Sequence, residues 1–203
     1  MSERTYISTS DTAKLIRSAL KESFPGVRFS VRSDRYSMGS SIDVRWTDGP
    51  NTAQVRSITQ WFAGAEFDSM QDLKSYVNTD FDGKATHFGA DYVFEHRDYS
   101  DAMVQRGIDR VWSKYSWVDT DTYAKPTPED WSMGRTRSIL LKNYQNYNDS
   151  FETEMHRELS KRSQVAQAMP SKTMARFTAP QDDNTDEVLP ANVIEFPRQA
   201  NAS

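Results

Sequence analysis

Cysteine is absent from the 203 residues, which excludes disulfides and thiolate metal sites. Histidine is scarce, and His87, His96 and His156 are the only imidazoles. Long apolar runs are missing too. None approaches the roughly 20 residues that a membrane-spanning helix needs, and the opening MSERTYISTS lacks the basic-then-apolar pattern of a secretion signal. The expectation is a cytoplasmic protein with no membrane contact. Nor does charge of one sign dominate. Lys and Arg total 25 against 29 Asp and Glu, a net charge of -4, too small to draw the whole chain to nucleic acid or to mimic it. A local basic patch stays open. The sequence contains no HExxH, GxSxG, GxGxxG or Walker pattern, so we expect no enzyme, no catalytic residues, no cofactor and no metal.

Aromatic residues are what the chain does have. They are 12 % of it, with ten Phe and five Trp, enough to build a core although only 36 % of residues are hydrophobic. The length suits one domain with extensions or two small domains. Ser8 to Asp11 supply helix caps, and Leu15, Ile16, Ala19 and Leu20 recur on one helical face up to Phe24, before Pro25 and Gly26. Val27, Phe29 and Val31 alternate with polar residues as a strand. SIDVRWTDGP (41–50) does the same with Ile42, Val44 and Trp46, and SDRYSMGS (33–40) reads as the connecting loop. Val55, Ile58 and Phe62 mark a second helix. Phe67, Met70, Leu73 and Tyr76 suggest a further helical turn. Residues 87–97 read as a third strand whose inward face is ambiguous, because apolar residues occur at both parities. Val104, Ile108, Val111 and Trp112 mark a third helix.

The expected fold class is α+β, a small α-β-β-α-β-α sandwich over residues 1–118 with a three-stranded, mainly antiparallel sheet. Helices cover one face and leave the other to solvent or a partner. A linker follows over 119–135. Residues 136–162 read as one helical extension whose stripe, Ile139, Leu140, Tyr144, Tyr147, Phe151, Met155 and Leu159, serves as a core or as the seam of a homodimer. Residues 163–203 read as a disordered tail interrupted by one apolar motif, VLPANVIEFPR (188–198).

The first segment also resembles a known family. FPGVRFSVRS, SSIDVRWTDGP and FGADYVFEHR, in that order and spacing, are similar to the twenty-ninth of the large polyvalent protein associated domains, with the likeness running over about residues 5–115. The resemblance implies an origin in phages or conjugative elements. Their polyvalent proteins are long fusions thought to enter the recipient cell with DNA and protect it from host defences. It brings no catalytic residues, and the activities of the helicase, methylase or protease neighbours found in such fusions do not carry over.

Several groups are candidate sites. Arg28, Arg32, Asp43 and Arg45 form a charged set on the open sheet face, and Arg35 and Tyr36 add a basic and an aromatic side chain at the sheet end. Arginine forks suit phosphate or carboxylate, so a nucleic acid or protein partner is one reading. Cross-strand ion pairing on a wet face is the other. Asp91, Glu95 and His96 have the right chemistry for a metal, but strand alternation turns His96 away from the two carboxylates. Asp68, Asp72, Asp80, Asp82, Asp91, Asp98 and Asp101 either form an acidic docking surface or serve caps and turns. In the tail, Val193, Ile194 and Phe196 could add a strand to a partner or fill its groove. The leading expectation is a non-enzymatic accessory protein that counters a defence of the anti-restriction or anti-CRISPR kind by binding a host protein or complex. The alternative is a nucleic-acid-binding protein that accompanies incoming DNA.

Overall fold

The computed structural model describes residues 5–37, 39–68, 73–76, 78–114, 122–140 and 150–178. Its described residues fall into two compact units. The first takes them from Met1–Trp46, Thr52–His96 and Gln167–Ser203, the second from Thr47–Asn51 and Arg97–Ala166. The class is α+β, with two three-stranded sheets and five α-helices among the described residues. None of these helices is long and apolar enough to cross a membrane.

The first unit opens with a short strand that the sequence pattern did not reveal, β1 (Thr5–Ile7). Helix α1 (Thr9–Ser23) starts where expected, because the Ser8 hydroxyl accepts from the Asp11 N–H. It buries Ile16, Ala19 and Leu20 completely and stops before Gly26, whose φ of 90° no helix allows. Strands β2 (Ser30–Tyr36) and β3 (Gly39–Thr47) form the expected antiparallel hairpin, with Val31 opposite Val44 and Arg32 opposite Asp43. The loop is shorter than expected. Residues 33–36 belong to β2, so Arg35 and Tyr36 are strand residues. Helix α2 (Thr52–Thr59) follows, with a 3-10 turn at Gln60–Phe62.

Three expectations are corrected beyond that point. The helical turn near 67–76 is instead a hairpin, β4 (Ala65–Asp68) against β5 (Leu73–Tyr76). A third small strand, β6 (Thr79–Phe81), precedes β7 (Lys84–Phe88). The single strand expected over 87–97 is two, β7 and β8 (Tyr92–Asp98), which join different sheets in the orders β1-β7-β6 and β2-β3-β8. Gly89 and Ala90 make the break; the Gly89 N–H donates to the Ile7 carbonyl and the Ala90 carbonyl accepts from the Gly64 N–H. Pairing is mainly antiparallel, in β2–β3, β4–β5 and β6–β7, with two parallel pairs. β1 runs parallel to β7. β8 runs parallel to β3, since the Asp91 N–H reaches the Ser40 carbonyl at one end and the Asp48 N–H reaches the Asp98 carbonyl at the other.

The expected disordered tail is also corrected for its described part. Residues 167–178 return to the first unit. The Met169 N–H donates to the Ser23 carbonyl. The Glu22 carboxylate accepts from the Ser171 hydroxyl at 2.6 Å and the Thr173 N–H at 2.9 Å. Arg176 grips Asp82 through two nitrogens and lies 4.2 Å over the Phe81 ring. Phe177 then packs its ring against Phe62, Phe81 and Phe88, at centroid distances of 4.9, 4.8 and 5.8 Å. Residues 179–203, with Val193, Ile194 and Phe196, lie outside the described residues.

The second unit is helical. Helix α3 (Asp101–Lys114), α4 (Pro128–Ser132) and α5 (Phe151–Lys161) gather Met103, Val104, Ile108, Val111, Ile139, Phe151, Met155 and Leu159 into one core. The division therefore falls at 96/97 rather than 118, and α3 groups with the residues that follow it. Instead of one helix over 136–162, residues Arg135–Ser138 form a 3-10 turn, Leu140 bridges Ser150, and α5 starts at the Ser150 cap. Residues 141–149, with Tyr144 and Tyr147, lie outside the described set. Gly107 lets α3 approach α5: a methyl group there would stand 3.0 Å from the Met155 Cε and 3.2 Å from the Leu159 Cδ2. Half-buried Arg97 fastens the start of this unit by donating to the carbonyls of Asp48, Gly49, Leu159 and Arg162.

Two predictions follow from the returning segment. Phe177→Ala should cost about 2 kcal/mol, below the ~3–5 of a fully buried Phe because this ring is only partly buried; urea unfolding followed by tryptophan fluorescence measures it. Acid should loosen the same segment. Burial raises the Glu22 pKa, but the Ser171 and Thr173 hydrogen bonds outweigh it and hold the carboxyl below its ordinary value. A lowered folded-state pKa contributes stability above the unfolded value of about 4.3 and loses it as pH falls through the folded one. The melting-temperature gap between wild type and Glu22→Gln should therefore be widest near neutrality and close toward pH 3.

Candidate functional site

The site builds from β3 outward. Ile42, Val44 and Trp46 are 0, 0 and 2 % exposed, so the alternate side chains Asp43 and Arg45 stand on the opposite face. Register carries that face to β2, where Arg32 lies opposite Asp43 and Ser30 opposite Arg45. On β8 the two faces are told apart by Glu95. Its carboxylate receives Arg56 at 3.2 Å and the Thr59 hydroxyl at 2.5 Å, both from α2, so it points to the helix-covered side. Its neighbours Phe94 and His96, and Tyr92 two residues back, therefore share the open face with Asp43.

The open face carries exposed rings midway along β8 and at the Gly39 end of the hairpin. Phe94 is 47 % exposed and stacks on Tyr92 with centroids 6.0 Å apart. Tyr36 is 48 % exposed and its ring lies across Gly39, its cross-strand partner. The other end is basic, with Arg32 and Arg45 exposed. Arg28 is exposed just before β2, beside Phe29, which turns inward against Phe24 and Trp46. Between the ends, the His96 Nε2 and the Asp43 Oδ1 are 3.0 Å apart.

That pair corrects one expectation. Asp43 was to be balanced by the arginines of β2. It faces Arg32 in register, yet its hydrogen bond is with His96 on the other side. Among the described residues, the guanidinium groups of Arg28, Arg32, Arg35 and Arg45 have no ion-pair or hydrogen-bond partner. Arg35 has the opposite strand parity from Arg32 and Tyr36 and does not belong to the open face. The sequence reading brought Arg28, Arg32, Tyr36, Asp43 and Arg45 to one surface but missed Tyr92, Phe94 and His96. Their spacing of two was visible; what was lacking was the parity of Glu95.

The other candidates take up structural duties. Asp91 accepts from the Ser40 N–H at 3.0 Å, tying β8 to β3, while Glu95 and His96 go to opposite faces. Among the described residues, no group of three His, Asp or Glu could hold a metal ion. Asp82 sits in a turn at φ 55°, and its bond to Arg176 holds its pKa below the ordinary value. Asp101 opens α3. In the second unit, a groove of about 440 Å³ beside α3 and α5 has basic residues, but its carboxylates are interleaved with them. Glu158 pairs with Arg162 at 2.6 Å and Arg110 at 3.5 Å, and Glu154 pairs with Arg157.

The family model of large polyvalent protein associated domain 29 matches residues 7–100. The match spans α1 through β8 and ends before α3, so it includes every residue of the open face. No curated protein and no solved structure matches the chain.

Gly39 is the position on which the aromatic end depends. A Cβ there would overlap the Asp91 Oδ2 and come within 3.2 Å of the Tyr36 Cε2. Gly39→Ala should destabilise the protein by about 1–3 kcal/mol, read as a lower urea midpoint, and should raise the accessibility of Tyr36 to nitration.

Proposed function

We propose that this chain, whose residues 7–100 carry a domain associated with large polyvalent proteins, is a non-enzymatic accessory protein of a phage or plasmid. It works inside the recipient cell by binding incoming nucleic acid and shielding it from the host's defences. The observation that carries this reading is the set of unpaired guanidinium groups on the open sheet face. Arg28, Arg32 and Arg45 are unpaired there among the described residues, while Asp43 bonds His96 and Asp34, exposed on the same face two residues from Arg32, accepts from the Arg35 N–H. Unpaired, exposed guanidinium groups suit phosphate, to which arginine donates forked hydrogen bonds.

A second reading keeps the same surface and changes the partner. The chain as a whole is acidic, at -4, which opposes a polyanion at long range. Exposed tyrosine and arginine also dominate protein-binding hot spots. On this reading the face engages a host restriction or CRISPR protein directly.

The two readings separate in one binding series with labelled oligonucleotides at rising salt. Nucleic-acid binding predicts measurable affinity at low salt that weakens steadily as salt increases, and loss of that binding in the Arg32→Ala, Arg45→Ala double variant with an unchanged melting temperature. Absence of binding at the lowest salt would remove the first reading. A counter-defence role would then rest on whether the protein raises phage survival in cells carrying a single defined defence system.

A further inference from the structure

The open face has chemistry beyond its arginines, and it bears on which form of nucleic acid fits. This step rests on the nucleic-acid reading above. We infer that the face takes a single strand, with bases stacked on Phe94, Tyr92 and Tyr36 and the backbone continuing over Arg32, Arg45 and Arg28.

Two observations carry it. The first is the exposed rings. Phe94 and Tyr36 each keep nearly half of their surface in water, at 47 and 48 %, on the same sheet face. Exposed aromatic rings of this size are poor surface residues unless something flat covers them, and every unpaired base offers a flat π-face. A duplex cannot use them, because its bases are stacked on one another and only their edges reach the grooves. The second observation is the shape of the surface. Three strands spaced about 4.8 Å apart place the outer two about 10 Å from each other before side chains are added. With side chains such a sheet exceeds a major groove of about 12 Å, which admits one helix or a two-stranded ribbon. The face is therefore too broad to enter a duplex and well suited to lie under a strand.

The arrangement also limits the charge. From Gly39 at the aromatic end to Arg45 at the basic end is six residues, about 20 Å along β3 at ~3.3 Å per residue. Within that span Arg32 and Arg45 face solvent, with Arg28 just beyond it, and two carboxylates share the face, the exposed Asp34 and Asp43, which bonds His96. Three phosphate contacts on a single strand give a logarithmic salt slope of about -2, against about -0.7 for one contact.

The test is fluorescence anisotropy of the full chain with one labelled oligonucleotide, offered single-stranded and as its duplex, across a salt series. Expected results are tighter binding of the single strand, a slope near -2, and about tenfold or greater weakening in Phe94→Ala. The slope should stay unchanged in Phe94→Ala and fall by about 0.7 in Arg32→Ala. Phe94→Leu, which keeps the apolar bulk without the ring, should behave as Phe94→Ala, and Phe94→Tyr should bind as wild type. This pair reports stacking even if the alanine variant is poorly folded. Equal binding of duplex and single strand, or full affinity in Phe94→Leu, would overturn the single-strand inference and leave the nucleic-acid reading standing. No binding of either form would overturn both.

Discussion

A strand that hides three alternate side chains must show those between them, and this constraint governs the first unit. Ile42, Val44 and Trp46 are buried beneath the helices, so β3 cannot slip by one residue without turning its whole apolar set into water. With β3 fixed, the antiparallel register of β2 and the parallel register of β8 have no freedom either. Each fully buried large side chain contributes about 1.5–3 kcal/mol. Against that, the exposed residues contribute little to stability. They can carry unpaired charge and exposed rings because the buried face, not the open one, holds the sheet together.

The remainder of the first unit depends on a contact made late in the chain. Phe62, Phe81 and Phe88 form an aromatic group that is closed from outside by Phe177. The closing segment is fixed at both ends by charged partners, Glu22 for Ser171 and Thr173, and Asp82 for Arg176. Exposed ion pairs of the Asp82–Arg176 kind are individually weak, about 0–1 kcal/mol. Here they align a ring whose burial supplies the larger free energy. The second unit uses a different device, one guanidinium shared among four backbone carbonyls, two of them at the end of α5. Positive charge at a helix C-terminus is favourable, so Arg97 caps the helix while it fastens the loop.

How much of this was legible in the sequence follows from the range of each interaction. Period-two alternation in 41–46 and the Ser8 cap are local, and both predicted their elements. The split of 87–97 into β7 and β8 was hidden because strands in two sheets have the same composition as one long strand; only the long-range bonds of Gly64 and Gly89 mark the break. Residues 167–178 have the polar composition of a disordered segment, and what orders them are partners roughly 90 to 150 positions away. The open face was half legible. Arg32, Asp43 and Arg45 could be placed by alternation alone, but Phe94 and His96 needed Glu95 to be assigned to α2 first.

His96 matters most to the character of the surface, although it carries none of its charge in the neutral form. Asp43 stands directly across from Arg32 and two residues from Arg45. Left to itself, a carboxylate so placed would pair with one of them and take up its hydrogen-bond donors. The imidazole on β8 offers a competing hydrogen bond at 3.0 Å from the opposite side. A bond to His96 costs less side-chain entropy than one to a long, exposed arginine, because the imidazole has fewer rotatable bonds and is half-buried between its neighbours. The carboxylate is thereby drawn toward β8, and the guanidinium groups of β2 and β3 stay available to a ligand. The parallel placement of β8 beside β3, which brings His96 to this position, is thus the feature of the fold that draws Asp43 away from the arginines of the open face.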